Sequence, residues 1–315
     1  MLLFFFTSIK CISNVRHQVA KLSVSKMAHN SKTHLTYLSI IIILASGSKM
    51  YASAKNITLV NVCQETIWPG IITQGGNYHG DGFTLKPGQS ASYNPPDGWS
   101  GRIWARTGCN FNNSTSSCKT GSCGSSINCT SPGSLPVTIA EFTLGANVDY
   151  YDVSLVDGFN VPVLVRPFNG KGNCSNAGCD GDLRQNCPSD LAVKDNGKVI
   201  GCRSACDAFN SDEYCCKGAF GDLTSCLASN YSKSFKQVCP AASSYAFDDR
   251  TSIITCSATD YIVGFCASRN QTVCSYHDNK LFCNESKGSK AFPQSWWQLL
   301  LMLALPPILN IQALF

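Results

Sequence analysis

The sequence contains few charged residues and few histidines. Of its 315 residues, 14% are charged, against about 25% in an average soluble domain, and so low a fraction argues against a disordered chain or a long coiled coil. Between residues 55 and 286 the histidines are His79 and His277, so a Ser-His-Asp or Cys-His site would have to use one of them. The sequence also lacks a Gly-x-Ser-x-Gly element and a P-loop, which leaves no motif for an α/β-hydrolase or a nucleotide-hydrolysing enzyme.

Acidic residues are absent from both ends of the chain. Its formal net charge is +5, but residues 1–54 carry six basic residues and residues 287–315 carry two. The part between them therefore holds 17 basic and 20 acidic residues, a net charge of −3. A weakly acidic body has no electrostatic reason to bind nucleic acid, and anionic membranes attract it poorly.

Cysteine is the abundant residue type. The chain has 19 cysteines, a number typical of an oxidising compartment rather than the cytosol. Cys11 lies in the amino-terminal segment, and the other 18 form an even number. Paired cysteines hold no thiolate, so we predict no metal site, and nothing in the sequence indicates a cofactor.

The amino-terminal segment has the layout of a secretory signal. Leu35–Ala45 is an apolar run, Lys32 precedes it, and Ala52-Ser53-Ala54 supplies small residues before a cleavage site. We therefore predict that residues 1–54 form an extension and a signal peptide. A retained signal anchor is the alternative.

The carboxyl-terminal segment resembles a glycosylphosphatidylinositol attachment signal. Residues 291–315 carry no charge and end in an apolar run, which follows a short polar spacer. We predict lipid attachment at Ser286 or Asn284 and loss of residues 287–315, which places the protein at the outer face of the plasma membrane. A retained membrane tail and a tail with neither use are the alternatives; without an anchor, we expect an extracellular protein.

Residues 55–173 predict a β-rich body. Turn residues such as Asp157-Gly158 separate short β-branched or alternating segments, a pattern that favours a β-sandwich or barrel. Alternation puts Arg102, Trp104 and Arg106 on one face of a strand. The segments are Ile57–Val62, Arg102–Arg106, Thr138–Leu144 and Tyr150–Val156.

The segment 174–239 differs from this body. It holds nine cysteines and has weak apolar periodicity. We therefore predict a disulfide-rich lobe that is stabilised by disulfide bridges instead of a large apolar core. Asn196-Gly197 predicts a hairpin turn, and Ser204–Asn210 predicts a short helix.

Eight Asn-x-Ser/Thr sequons agree with secretion. We take all of them as candidates for glycosylation and expect about half to be occupied. They are Asn56, Asn112, Asn113, Asn128, Asn173, Asn230, Asn270 and Asn284.

Several segments resemble the thaumatin-like family of secreted plant proteins. The most specific is Tyr151–Asn160 (YDVSLVDGFN), and 16 cysteines from Cys63 to Cys266 follow the family order. The resemblance covers residues 55–267, which we identify as a thaumatin-like domain, and residues 268–286 form a carboxyl-terminal extension. The other matching segments are Gly101–Cys109, Ala140–Leu144, Tyr214-Cys215-Cys216, Tyr231-Ser232-Lys233 and Asp260-Tyr261.

The resemblance implies a disulfide connectivity that spacing alone does not provide. Cys274 and Cys283 lie beyond the usual end of the family, and we expect them to pair with each other. The implied bridges are Cys63–Cys266, Cys109–Cys118, Cys123–Cys129, Cys174–Cys256, Cys179–Cys239, Cys187–Cys202, Cys206–Cys215 and Cys216–Cys226.

The resemblance also implies a mainly β architecture: a thaumatin-like β-sandwich, a disulfide-rich loop lobe and an acidic cleft between them. One departure bears on the cleft, because Ser122 stands where the family usually has an aspartate. Asp249 is an alternative to its neighbour in the last cleft position. The implied cleft residues are Arg102, Glu141, Asp152, Asp157 and Asp248.

These acids fit functions of different classes. We expect the cleft of a monomer to bind β-1,3-glucan or a related wall polysaccharide, with antifungal defence implied by the resemblance; a basic protein surface is another partner for clustered acids. A weak endo-β-1,3-glucanase is the alternative, with Glu141 as acid and Asp152 or Asp157 as base. A membrane-permeabilising antifungal, purely structural acids and a developmental role also remain open. Tyr78 and Trp99 are candidates for stacking on sugar rings, although Trp99 is better suited to the core.

Overall fold

The computed structural model describes residues 55–75, 80–111, 117–168, 170–248, 252–257, 260–277 and 280–283. The predicted signal peptide and lipid-attachment segment lie outside these residues. So do these individually predicted positions: Tyr78, His79, Asn112, Asn113, Asp249, Asn284 and Ser286.

The described chain is mainly β, as predicted. The strands are β1 (Asn56–Asn61), β2 (Ile67–Thr73), β3 (Asp81–Gly82), β4 (Ser90–Tyr93), β5 (Ser100–Thr107), β6 (Ile139–Thr143), β7 (Asp149–Ser154), β8 (Val163–Phe168), β9 (Ala177–Gly178), β10 (Ala192–Asp195), β11 (Lys198–Cys202), β12 (Ile254–Cys256), β13 (Asp260–Phe265), β14 (Cys274–His277) and β15 (Lys280–Cys283). The α-helices are α1 (Ala205–Phe209), α2 (Asp212–Cys215) and α3 (Asn230–Val238), and 3-10 turns span Leu183–Asn186, Ser189–Leu191 and Gly218–Phe220.

Two sheets form the body. The first has the strand order β4-β1-β13-β8-β9, with β1 and β13 parallel, and the second has the order β12-β7-β6-β5-β2-β3. Apolar side chains from both sheets, such as Leu59 and Val263 from the first and Ile103 and Val153 from the second, share one core. This packing of two sheets confirms the sandwich that the sequence predicts.

An aromatic cluster occupies part of this core. The ring centroids of Phe142 and Tyr151 each lie 5.3 Å from that of Tyr261, in edge-on contacts. The Tyr261 hydroxyl donates to Oδ2 of the fully buried Asp149 at 2.7 Å, and Lys55 also pairs with Asp149. The cluster therefore joins the two sheets by packing and by a satisfied buried carboxylate.

Part of the outer face of β5, at Trp104 and Arg106, is covered as well. Trp104 packs with Cys123, Cys129 and Val137 in a second small core. Arg106 lies on the same face, as the alternation predicts, and it is fully buried. Among the described residues, its guanidinium donates to main-chain carbonyls, a role that the sequence does not indicate.

The lobe contains the two local features that the sequence predicts. Asn196 and Gly197 have φ angles of 48° and 78° at the turn between β10 and β11. Ser204 caps α1 by accepting a hydrogen bond from the Asp207 amide, and Asn210 ends it in the left-handed conformation. Both signals act over a few residues, so they hold without a large core.

Disulfides connect the lobe internally and the ends of the body. Eight bridges between described residues join the same pairs that the resemblance implies. Cys274 is also disulfide-bonded, and it lies opposite Cys283 in the β14–β15 hairpin. Across the described ranges, no helix is both long and apolar enough to cross a membrane.

Candidate functional site

Three of the implied cleft residues lie side by side on the second sheet. In the strand register Arg102 of β5 faces Glu141 of β6, which in turn faces Asp152 of β7. Directly opposed residues of antiparallel strands project from the same face. Their neighbours Ile103 and Val153 point into the core, so the three project from the outer face. We call Arg102, Glu141 and Asp152 the carboxylate row.

Arg102 and Glu141 form an ion pair in this row. Arg102 Nε lies 2.7 Å from Glu141 Oε1, and the two side chains are 35% and 30% exposed. The contact is close but poorly aligned, because Nε is a buried donor without a hydrogen-bond acceptor in the described part of the chain. A half-exposed ion pair adds little stability, so this geometry suits binding better than a structural role.

Asp152 is the more enclosed carboxylate of the row. Its residue is 8% exposed, and Oδ2 accepts a hydrogen bond from Ser243 Oγ at 3.1 Å. The contact ties the row to Ser243-Ser244, a segment that follows the disulfide-rich lobe. Asp152 therefore belongs both to the sheet face and to the junction with the lobe.

Asp157 lies just beyond the end of β7. Burial raises the pKa of its carboxyl; Arg102 lowers that pKa, and Asp207 raises it further. The influence of Arg102 places Asp157 in the electrostatic range of the carboxylate row. Burial outweighs the effect of Arg102, so the surroundings of Asp157 favour its protonated form.

This raised pKa makes a prediction for stability against pH. Above pH 3.8, the ordinary pKa, the unfolded state has released the proton of Asp157. The folded state still holds this proton until the pH reaches the raised pKa. The free energy of unfolding of the wild type, relative to Asp157→Asn, should therefore fall as the pH rises from about 4 through the raised pKa, and then level off. Urea unfolding of both proteins between about pH 3 and 7 measures this difference. A difference that is flat or rises with pH would contradict the assignment, and Asp97→Asn at an exposed turn is the control.

Asp248 is engaged by the lobe rather than by the row. Its Oδ2 accepts hydrogen bonds from Lys236 Nζ at 2.8 Å and from the Ser244 amide and hydroxyl at 2.8 and 2.9 Å. Burial alone would raise the pKa of Asp248, but these hydrogen bonds and the Lys236 charge lower it. Asp248 thus positions Ser244 and α3, and its contacts resemble those of a structural carboxylate.

A pocket opens where the body meets the lobe. The centre of a water molecule can reach about 50 Å³ of this open pocket, and its wall includes Tyr214, Tyr231, Tyr245, Ser204 and Ser244. We call it the tyrosine pocket. Val156, the neighbour of Asp157, completes the wall on the side of the body.

The tyrosine pocket was not predicted as a site from the sequence. The sequence signal nearest to it is the family resemblance of the two segments that contain Tyr214 and Tyr231, and that signal did not indicate a pocket. Trp99 is 2% exposed and donates to Thr73 Oγ1, so it belongs to the core and cannot stack on a ligand. The described residues contain no group of acids, histidines and cysteines able to hold a metal ion.

The sequons differ in access. Asn56 is 6% exposed in β1; its Nδ2 donates to Asn94 and its Oδ1 accepts from Thr58. Asn56 is therefore a less accessible candidate in the folded protein than the exposed sequons. The sequon asparagines that are exposed in the described part are Asn128, Asn173, Asn230 and Asn270.

Comparison with known proteins yields one family. The family model described as "Thaumatin family" matches residues 61–267. "Pathogenesis-related thaumatin-like protein 3.5" of Cryptomeria japonica is 51% identical over 69% of this chain and 92% of its own length. "Pathogenesis-related protein 5" of Arabidopsis thaliana is 46% identical over 76% of this chain and its whole length. Among solved structures, the thaumatin-like xylanase inhibitor TLXI is 24% identical, with a TM-score of 0.39, over 67% of this chain and 99% of that one.

Proposed function

Because this chain belongs to the thaumatin family and resembles pathogenesis-related proteins, we propose that it is an extracellular defence protein that binds β-1,3-glucan or a related cell-wall polysaccharide. The ligand would lie on the carboxylate row and Asp157. Antifungal action would follow from binding to the wall of the pathogen.

The arrangement of the row supports this proposal. A guanidinium and two carboxylates project from neighbouring strands of one sheet. Carboxylate oxygens accept hydrogen bonds from sugar hydroxyls, and a guanidinium donates them, with fixed geometry. The strands hold these groups in place, so a polyol chain would meet them without an ordering cost in the protein.

Hydrolysis is a weaker alternative for the same residues. A glycosidase needs one protonated carboxyl, whereas the guanidinium beside Glu141 stabilises its ionised form. Asp157, whose pKa is raised, is better suited to be the acid. We therefore assign the acid role to Asp157 instead of Glu141 if any cleavage occurs.

One experiment separates binding from cleavage. The mature chain, residues 55–286, is mixed with insoluble β-1,3-glucan, and bound protein and released reducing sugar are read in the same tube. The variant Glu141→Gln, Asp152→Asn, Asp157→Asn should bind about tenfold more weakly or worse, since each charged hydrogen bond contributes about 1.5–3 kcal/mol. We expect no sugar release from either protein.

A charge-matched variant is the control for a nonspecific effect of charge on binding. Glu65→Gln, Asp81→Asn and Asp97→Asn together remove three exposed acids elsewhere on the body, and this variant should bind as the wild type does. Equal losses in both variants would mean a nonspecific charge effect. Absence of wild-type binding would remove β-1,3-glucan as the ligand, and sugar release that only the first variant loses would make the protein a hydrolase.

The location of the protein is part of the proposal. Eight disulfides among the described residues form readily in an oxidising compartment and not in the cytosol. Together with the signal-like segment 1–54, they support an extracellular protein. The uncharged tail 291–315 supports an anchor at Ser286 or Asn284.

A further inference from the structure

The tyrosine pocket adjoins the carboxylate row but differs from it in chemistry. The described residues that line it include no lysine, arginine, aspartate or glutamate. Instead, the wall combines three tyrosines with the apolar side chains of Phe235 and Val156 and four serines. An aromatic pocket with hydroxyl groups and no lining charge suits an uncharged ligand that has both apolar faces and hydroxyls.

Two of the tyrosine rings are held in place by packing. The ring of Tyr214 meets that of Tyr231 edge-on, with centroids 5.8 Å apart. Phe209 packs against both, at 5.5 Å from Tyr214 and 5.3 Å from Tyr231. The Tyr231 hydroxyl donates to Asp190 Oδ2 at 3.4 Å. Because Tyr214 and Tyr231 are fixed in this cluster, Tyr245 is the ring that a substitution can remove with least disturbance.

Two serines that line the pocket have complementary hydrogen-bonding capacity. Ser204 Oγ accepts the Asp207 amide hydrogen in the cap of α1, so its own hydrogen remains for an acceptor. Ser244 Oγ donates to Asp248, so its lone pairs remain for a donor. A sugar hydroxyl can both donate and accept, and the pocket offers one partner of each kind, oriented in advance.

Two pairs of residues adjacent in sequence connect the pocket with the carboxylate row. Val156 lines the pocket, and Asp157 follows it beside the row. Ser244 also lines the pocket, and Ser243 donates to Asp152 in the row. We therefore expect a chain molecule seated in the pocket to extend towards the row.

We propose that the tyrosine pocket binds one uncharged pyranose ring of a glycan, whose next residues cross Asp157 to the carboxylate row. This inference rests on the proposed function and adds the part of the site that recognises the ring itself. The apolar face of the sugar stacks on Tyr245, and its hydroxyls meet Ser204 and Ser244. The described residues that line the pocket include no lysine or arginine, so a uronic acid would find no compensating charge there and the site selects neutral sugars.

Calorimetric titration of the mature chain tests this assignment. The probes are neutral hexasaccharides of β-1,3-glucose, β-1,4-glucose, β-1,4-xylose and β-1,4-mannose, with α-1,4-galacturonate as the acidic counterpart. Loss of one stacking ring in Tyr245→Ala should weaken binding of the preferred neutral hexasaccharide about tenfold, and loss of the hydroxyl in Tyr245→Phe should weaken it about threefold at most. Galacturonate should not bind.

Matched variants keep the result interpretable. Leu227→Ala removes an exposed apolar side chain (71% exposed) elsewhere in the lobe and should bind as the wild type does. Tyr245→Leu retains apolar volume without the aromatic ring, and it replaces Tyr245→Ala if that variant does not fold. Thermal unfolding of each variant shows whether a loss of binding is local.

The outcomes distinguish this inference from the proposed function. If binding of β-1,3-glucan needs the acids but not Tyr245, the pocket assignment is overturned and the proposed function stands. Binding of a different neutral hexasaccharide that does need Tyr245 would support the pocket and overturn β-1,3-glucan as ligand. No binding of any neutral hexasaccharide, or equal binding of galacturonate, would overturn the pocket assignment.

Discussion

Replacing Cys63 and Cys266 by alanine is expected to lower the free energy of unfolding by about 5 kcal/mol in the chain-entropy model. The bridge joins residues 203 positions apart, the longest loop among the described disulfides. Cys63 follows β1 and Cys266 follows β13, and these strands are parallel neighbours in the centre of the first sheet. Without the bridge, this pairing must be formed by two free ends of the domain.

Urea unfolding under non-reducing conditions measures the change. The matched control replaces Cys109 and Cys118, which are 9 positions apart, and it should cost about 3 kcal/mol because the closed loop is short. Equal losses in the two double variants would contradict a loop-length origin. A secreted yield that falls in the first variant and much less in the second would give the same ranking.

Replacing Arg106 by methionine is expected to lower the free energy of unfolding by about 3–5 kcal/mol, the range for breaking a buried charged network. The guanidinium is fully buried, and Nε donates to Trp68 O at 2.9 Å. Nη2 donates to Pro69 O at 3.2 Å and Ile127 O at 2.6 Å. Methionine fills most of the space but donates nothing, so buried carbonyls of two separate segments lose their partner.

The charge of Arg106 persists despite this burial. Burial lowers the pKa of Arg106 to about 10, which still leaves the group protonated at neutral pH. Arg106→Lys keeps the charge but cannot reach several carbonyls at once, so it should recover only part of the loss. Lys119→Met, which breaks the exposed ion pair with Asp195, is the control and should cost less than about 1 kcal/mol. A loss at Arg106 no larger than at Lys119 would contradict the account.

Short-range features of this protein could be predicted from the sequence. The Asn196-Gly197 turn and the Ser204 cap each depend on a few neighbouring residues, so local preferences suffice to predict them. The strand β7 could also be predicted, because polar and apolar residues alternate along it. The cysteine order pointed to the family, and the family to the bridges.

The candidate site depended on contacts that no local pattern contains. Arg102, Glu141 and Asp152 are separated by 39 and 11 positions in the sequence, and only the register of three strands places them opposite one another. A shift of one residue would turn each side chain to the other face. The surroundings of Asp248 could not be predicted from the sequence either, since its contacts with Lys236 and Ser244 set it apart from the row.

The sequence by itself determined the oxidised β-rich body, the lobe, the family and the identity of the acids, because composition, alternation and cysteine order are properties of the chain. The tertiary structure alone decided that Arg106, Trp99 and Asn56 are buried, and that three tyrosines and Val156 line one pocket. The reason is physical: burial and electrostatic surroundings are created by residues distant in sequence, and they come together only when sheets pack and bridges close.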